Sequence, residues 1–121
     1  MVALPSAVGA IDYGVISVNF PDDAEIDILT IYAFRQAGGT IEAKLYKTGH
    51  TSGTGTQIGG TITISAGTGA VNGNITSLAE TIDNDANSYH IQIGLTATTA
   101  TNEALFGAAE LAIKTTNLKM T

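Results

Sequence analysis

The sequence predicts an all-β fold: an antiparallel β-sandwich of seven or eight strands, of the Greek-key or jelly-roll type. Three observations lead there. Several segments alternate apolar and polar residues with a period of two, Gly-, Pro- and Asn-containing turn signals recur between them, and no segment sustains the 3.6-residue period of an amphipathic helix. The clearest strand follows Thr40, where Ile41, Ala43 and Leu45 point one way and Glu42, Lys44 and Tyr46 the other. That alternation marks one buried and one wetted face.

The strand before it, from Ile26 to Phe34, has a different pattern. Leu29, Ile31 and Ala33 fill one face, while Ile28, Tyr32 and Phe34 load the other. A strand that is apolar on both sides calls for cover on both sides. Between the two strands, Ala37-Gly38-Gly39 supplies the positive φ of a tight turn, so the pair from Ile26 to Tyr46 is expected to form a hairpin.

The remaining elements follow in chain order. Residues 1–10 are small and apolar and interrupted by Pro5 and Gly9, which suits an arm lying on a neighbouring subunit, with residues 11–121 forming the single sandwich domain. Ile16, Val18 and Phe20 alternate with Val15, Ser17 and Asn19 in a first strand that Pro21-Asp22-Asp23 ends. A polar loop is expected over 47–57. A strand then follows through Ile58, Ile62 and Ile64 with a bulge at Gly59-Gly60, and a weaker one runs over 71–78. Across 81–88 the chain reads as a polar crossover. Tyr89, Ile91, Ile93 and Leu95 then share one strand face against His90, Gln92 and Thr96. In the last strand, 104–115, Leu105, Ala109, Leu111 and Ile113 form the expected core face. Phe106, Ala108, Glu110, Ala112 and Lys114 form the opposite one.

Composition narrows the functional classes. The chain has 121 residues, enough for one domain with a real core, and 44% of them are hydrophobic. Only 13% are charged, about half the usual share, so Thr, Ser, Asn and Gly supply most of the polar surface. Net charge is −6, and the five basic residues, Arg35, Lys44, Lys47, Lys114 and Lys119, are scattered, which argues against a nucleic-acid partner. With no cysteine there is neither a disulfide framework nor a thiolate metal site. No apolar run approaches the ~18 residues of a membrane span, and the opening residues show no basic stretch leading into a long apolar core, so no signal peptide and no membrane are expected.

Residues able to carry chemistry are sparse, and no catalytic residue, cofactor or metal is expected. His50 lies in a Gly/Thr loop and His90 on a polar strand face, each without an acidic neighbour in sequence. Asp83, Asp85 and Asn87 have the spacing that opens a calcium loop, but Ser88 stands where Gly is needed and Gly94 where the bidentate Glu belongs. A turn in which Asx side chains cap their own backbone fits them better. Four tyrosines, Tyr13, Tyr32, Tyr46 and Tyr89, would make a sugar platform only if several shared one exposed face.

One resemblance stands out. A strand ending in Phe20-Pro21-Asp22, followed by Ile28-Leu29-Thr30-Ile31-Tyr32-Ala33-Phe34 and by Gly38-Gly39-Thr40-Ile41-Glu42-Ala43-Lys44-Leu45-Tyr46-Lys47, is similar to small β-sandwich proteins of tailed-phage virions. So is the closing pair, 88–95 with 105–113. These proteins are capsid decoration (cement) proteins and fibre or spike modules. The resemblance implies a non-enzymatic structural role, assembly as a homo-oligomer (often a trimer), and attachment to a major capsid or other virion protein. It also implies a place on the virion exterior after synthesis in the host cytoplasm without a signal peptide. Val2, Leu4, Ile28, Tyr32, Phe34 and Phe106 are the expected interface residues. A carbohydrate-binding or adhesion module and a subunit of an extracellular filament are the alternatives.

Overall fold

The computed structural model describes residues 11–98 and 103–114, so the arm 1–10, with Val2 and Leu4, lies outside the described residues. Within these bounds the chain forms eight strands and no helix. They are β1 (Ile11–Val18), β2 (Glu25–Arg35), β3 (Thr40–Gly49), β4 (Gly55–Ile64), β5 (Gly69–Ile75), β6 (Glu80–Thr81), β7 (Asn87–Thr96) and β8 (Ala104–Lys114). All pairings are antiparallel, and the strands lie in two sheets, as the sequence predicts. The first sheet has the order β1-β7-β3-β4. In the second, β8 runs along one edge of β2 while β5 and β6 lie end to end along the other.

The core forms between the two sheets. Leu29, Ile31 and Ala33 of β2 are buried together with Ile41, Ala43 and Leu45 of β3, and with Tyr89, Ile91, Ile93 and Leu95 of β7. These are the residues that period-2 alternation selects. At the far end of the core the rings of Phe20 and Tyr89 meet edge to face, with centroids 5.8 Å apart. The Tyr89 hydroxyl accepts the Asp83 amide at 2.9 Å.

The stretch from Ile26 to Tyr46 is not the hairpin that its turn residues suggest. β2 pairs with β5, β6 and β8, whereas β3 pairs with β4 and β7. The connection at 36–39 is therefore an arch that carries the chain from one sheet to the other. Its geometry depends on glycine. Gly38 has φ +96°, and the Gly39 backbone is so close to the Glu103 carbonyl that a Cβ would overlap it. Gln36 donates its amide to the Glu103 carbonyl at 2.9 Å, and the buried Glu103 carboxylate accepts the Thr98 amide at 2.7 Å. Arg35 reinforces the arch, with Nε donating to the Gly39 carbonyl and a terminal guanidinium nitrogen to that of Gly67, both at 2.6 Å.

Two irregularities decide which side chains face outward. Against β8, β2 carries one extra residue between Ile26 and Ile28, so Ile26 and Leu29 both point inward while Ile28 faces out. Farther along, β8 carries the extra residue: Tyr32 pairs with Ala108, but Ala33 pairs with Phe106. The bulge at Gly107 inverts the expected faces. Phe106 is core, 3% exposed, and Leu105 lies opposite Phe34 on the outer face. The expected bulge in β4 is present as well, because Ala43 pairs with Ile62 and Leu45 with Ile58.

The loop expected over 47–57 is shorter than its composition suggests. β3 and β4 continue to Gly49 and from Gly55, leaving a hairpin turn closed by the Gly49 amide on the Thr54 carbonyl at 3.2 Å. The Asx turn at 83–86 is as expected, with the Asp85 and Ala86 amides donating to Asp83 Oδ1 at 3.1 and 3.2 Å.

Replacing Gly39 by alanine should destabilise the fold by about 2 kcal/mol, because the clash is with backbone that cannot swing aside. Gly60→Ala, where nothing lies within 4 Å of the added carbon, should be close to neutral. Urea unfolding of the two variants gives the comparison.

Candidate interaction surface

The outer face of the second sheet exposes large apolar side chains on its central strand. Along β2, Ile28, Thr30, Tyr32 and Phe34 project outward, because the bulge after Ile26 resets the alternation. Tyr32 and Phe34 are 42% and 52% exposed, in the middle of the sheet rather than at its margin. Their cross-strand neighbours are Asn72 and Ala108 for Tyr32, and Ala70 and Leu105 for Phe34. Small neighbours leave the rings standing above the surface. Shallow depressions of about 330 and 220 Å³ open beside Phe34, the first towards Arg35 and Leu105, the second towards Ala70 and Ala108. Exposed aromatic rings bordered by apolar recesses are the surface chemistry of a docking site. The Arg35 guanidinium at its margin is engaged by the two carbonyls that hold the arch.

The outer face of the first sheet is different in character. Glu42, Lys44, Gln92 and Thr63 make it polar over β3, β4 and β7, while Ile11, Tyr13 and Val15 are exposed along its β1 margin. Tyr13, 58% exposed, lies against Gly94, where an added Cβ would come within 3.1 Å of the ring. Tyr46 stacks on His90 with centroids 5.3 Å apart and an interplanar angle of 13°. The four tyrosines are thus divided: two on this face, Tyr32 on the other sheet and Tyr89 in the core.

At the end of the sandwich near Phe20, a polar recess of about 530 Å³ is bordered by Ser17, Asn19, His50, Asn84, Asn87 and Ser88. His50 is better anchored than its loop composition suggests. Its Nδ1 faces the Asp85 carbonyl at 3.0 Å, which requires Nδ1 to carry the proton, and its Nε2 accepts the Ser88 hydroxyl at 2.9 Å. The arrangement pairs a hydroxyl with an imidazole, but both residues are exposed and the third partner is a main-chain carbonyl. Its evident effect is mechanical, tying the β3–β4 turn to the start of β7. On the flank of the sandwich, Lys47 and Glu80 form an ion pair at 2.9 Å that links β3 to β6. The hydrogen bond that Lys47 donates to Glu80 raises the Lys47 pKa above its usual 10.5, partial burial opposes this, and the Glu80 and Tyr89 charges add to the rise.

Comparison with known proteins finds no matching family model, no matching curated protein and no matching solved structure. The chain's own geometry therefore carries the functional argument.

Of the interface residues expected from sequence, the structure brings Ile28, Tyr32 and Phe34 together on one face and removes Phe106 from it. Leu105 takes the place expected of Phe106. Sequence reasoning missed Leu105 because a single glycine, Gly107, shifts the register, and that glycine was the only signal available. It also missed Glu103, which is 2% exposed against the arch.

Replacing His50 by alanine should speed amide exchange in the β3–β4 turn while changing global stability by less than about 1 kcal/mol, since the bonds lost are exposed. The Lys47–Glu80 pair is worth a few tenths to about 1 kcal/mol. Because the folded-state pKa of Lys47 is raised, that contribution is complete below pH 10.5 and is lost as pH rises through the raised value. Unfolding free energies of the native chain and Lys47→Met should therefore differ near neutral pH and converge in strong alkali.

Proposed function

We propose that this chain is a non-enzymatic structural protein of a phage virion, a capsid decoration (cement) or fibre component that assembles with copies of itself on the particle exterior. The observation that carries the reading is the pair Tyr32 and Phe34, exposed at the centre of the second sheet among Ala70, Leu105 and Ala108. Large rings on a central strand cost solubility unless a partner covers them. Aromatic anchors beside small residues are what interface cores are made of. A homotrimer is the favoured assembly, with a major capsid or other virion protein as the second partner. The pattern resemblance to phage sandwich proteins supports the same assignment.

The sugar-binding reading is weaker, because the tyrosines that would build a platform are divided between two faces and the core. The filament reading would require residues 1–10 to pair with a neighbouring subunit.

Light scattering on the purified chain at high micromolar concentration should report an oligomer, and Phe34→Lys should return it to a monomer of nearly unchanged stability, since the ring is half exposed. A native chain that stays monomeric throughout overturns self-assembly. Mass spectrometry of purified phage particles from the source should detect the chain, and its absence there overturns the virion assignment.

A further inference from the structure

The outward side chains of the first sheet fall into rows that run across the strands. Register places Tyr13, Gly94, Glu42 and Thr63 in one row, and Val15, Gln92 and Lys44 in the next. The alternate positions of the same strands, Ile16, Ile91, Ile93, Ala43 and Leu45, pack in the core, so both rows point away from it. Tyr13 and Val15 are 58% and 62% exposed. The Tyr13 ring lies against Gly94, the one place in its row without a side chain. Each row thus has an apolar residue on β1 and a charge on β3, acidic in the first and basic in the second.

We propose that this face binds a second copy of the chain about a two-fold axis lying between the stacked sheets, perpendicular to the strands and midway between the two rows. Such an axis keeps the strand order, β1 on β1 and β3 on β3, and inverts position along each strand. It therefore lays each row on the other row of the second copy. Glu42 meets Lys44 and Lys44 meets Glu42, Tyr13 meets Val15 and Val15 meets Tyr13, and Gly94 receives Gln92. One operation brings opposite charges together, apolar groups together, and a long side chain onto a bare backbone. Stacked sheets lie about 10 Å apart, a distance that a glutamate and a lysine reaching from opposite sides can close. Packed sheets also keep their strand directions within about 30° of each other, so the superposition holds for the rows beside the axis. A two-fold along the strands does worse. On β3 it sets Glu42 on Glu42, and between β7 and β3 it lays Tyr13 on Thr63.

Area sets the strength. Four strands about 4.8 Å apart, over the 8 residues of β1 at about 3.3 Å each, give about 500 Å² of flat sheet. A standard interface buries ~800 Å² per partner. Free chains therefore pair only near millimolar concentration, whereas copies already held side by side reach it as an effective concentration. The contact lies on the opposite side of the sandwich from Tyr32 and Phe34, so a copy held through one face can still take a neighbour through the other.

Backbone amide shifts of the Phe34→Lys chain, recorded from micromolar to millimolar concentration, test this with the other face disabled. Shifts should move with concentration over 11–17, 40–46 and 90–96, with a midpoint near millimolar. Lys44→Glu sets carboxylate on carboxylate twice across the axis and should raise that midpoint at least about tenfold. Adding Glu42→Lys restores opposite charges at both contacts and should bring the midpoint back. No movement on this face, an unchanged midpoint in Lys44→Glu, or a double variant that pairs no more tightly than the single one overturns the proposal. Failure of association through Tyr32 and Phe34 shows instead in light scattering of the native chain and leaves these outcomes unchanged.

Discussion

The contact between the Gly38-Gly39 arch and Glu103 is the constraint on which the rest of the sandwich depends. At this point β2 leaves one sheet and β3 enters the other, and the same few residues receive the link from β7 to β8. A side chain at Gly39 would occupy the Glu103 carbonyl, so the two connections fit together only with a bare backbone. The buried Glu103 carboxylate is tolerable there because it accepts the Thr98 amide, and the Glu103 main chain in turn accepts that of Gln36. Arg35 carries the same network on to Gly67 and the β4–β5 connection. Three inter-sheet connections are thus joined by one set of hydrogen bonds at one end of the molecule.

That arch explains how β2 comes to be apolar on both faces. Crossing between sheets lets Leu29, Ile31 and Ala33 face Ile41, Ala43 and Leu45 across the core rather than beside them in one sheet. The opposite face of β2 then becomes the outside of the narrower sheet, and Tyr32 and Phe34 come to the surface with it. The core and the candidate docking face are two sides of one strand.

The second sheet is also where local irregularity has most effect. One extra residue in β2 and one in β8 determine that Ile28 and Leu105 face out and that Phe106 faces in. Both bulges lie along the β2–β8 ladder, and together they set the composition of the outward surface. The first sheet, with its one bulge confined to the β3–β4 ladder near the margin, keeps a polar outer face over β3, β4 and β7 and exposes Ile11, Tyr13 and Val15 along β1.

Much of this was legible in the sequence. Alternation alone identified the inner faces of β2, β3 and β7, because a period of two follows from strand geometry and burial rewards it directly. It also marked Tyr32 and Phe34 as apolar residues without cover in their own sheet. Partner strands were not legible. A Gly-Gly connection of this length serves a hairpin and an arch equally well, and only the packing of both inner faces against each other selects the arch. Phe106 was misassigned for the same reason, since one bulged glycine inverts a face without altering the pattern around it. His50 and Glu103 depend on contacts with residues far along the chain or on other strands, at Ser88, Gln36 and Gly39. Local periodicity determined which residues seek burial, and tertiary structure decided which of them meet, because pairing and register are settled by long-range packing that short-range alternation cannot encode.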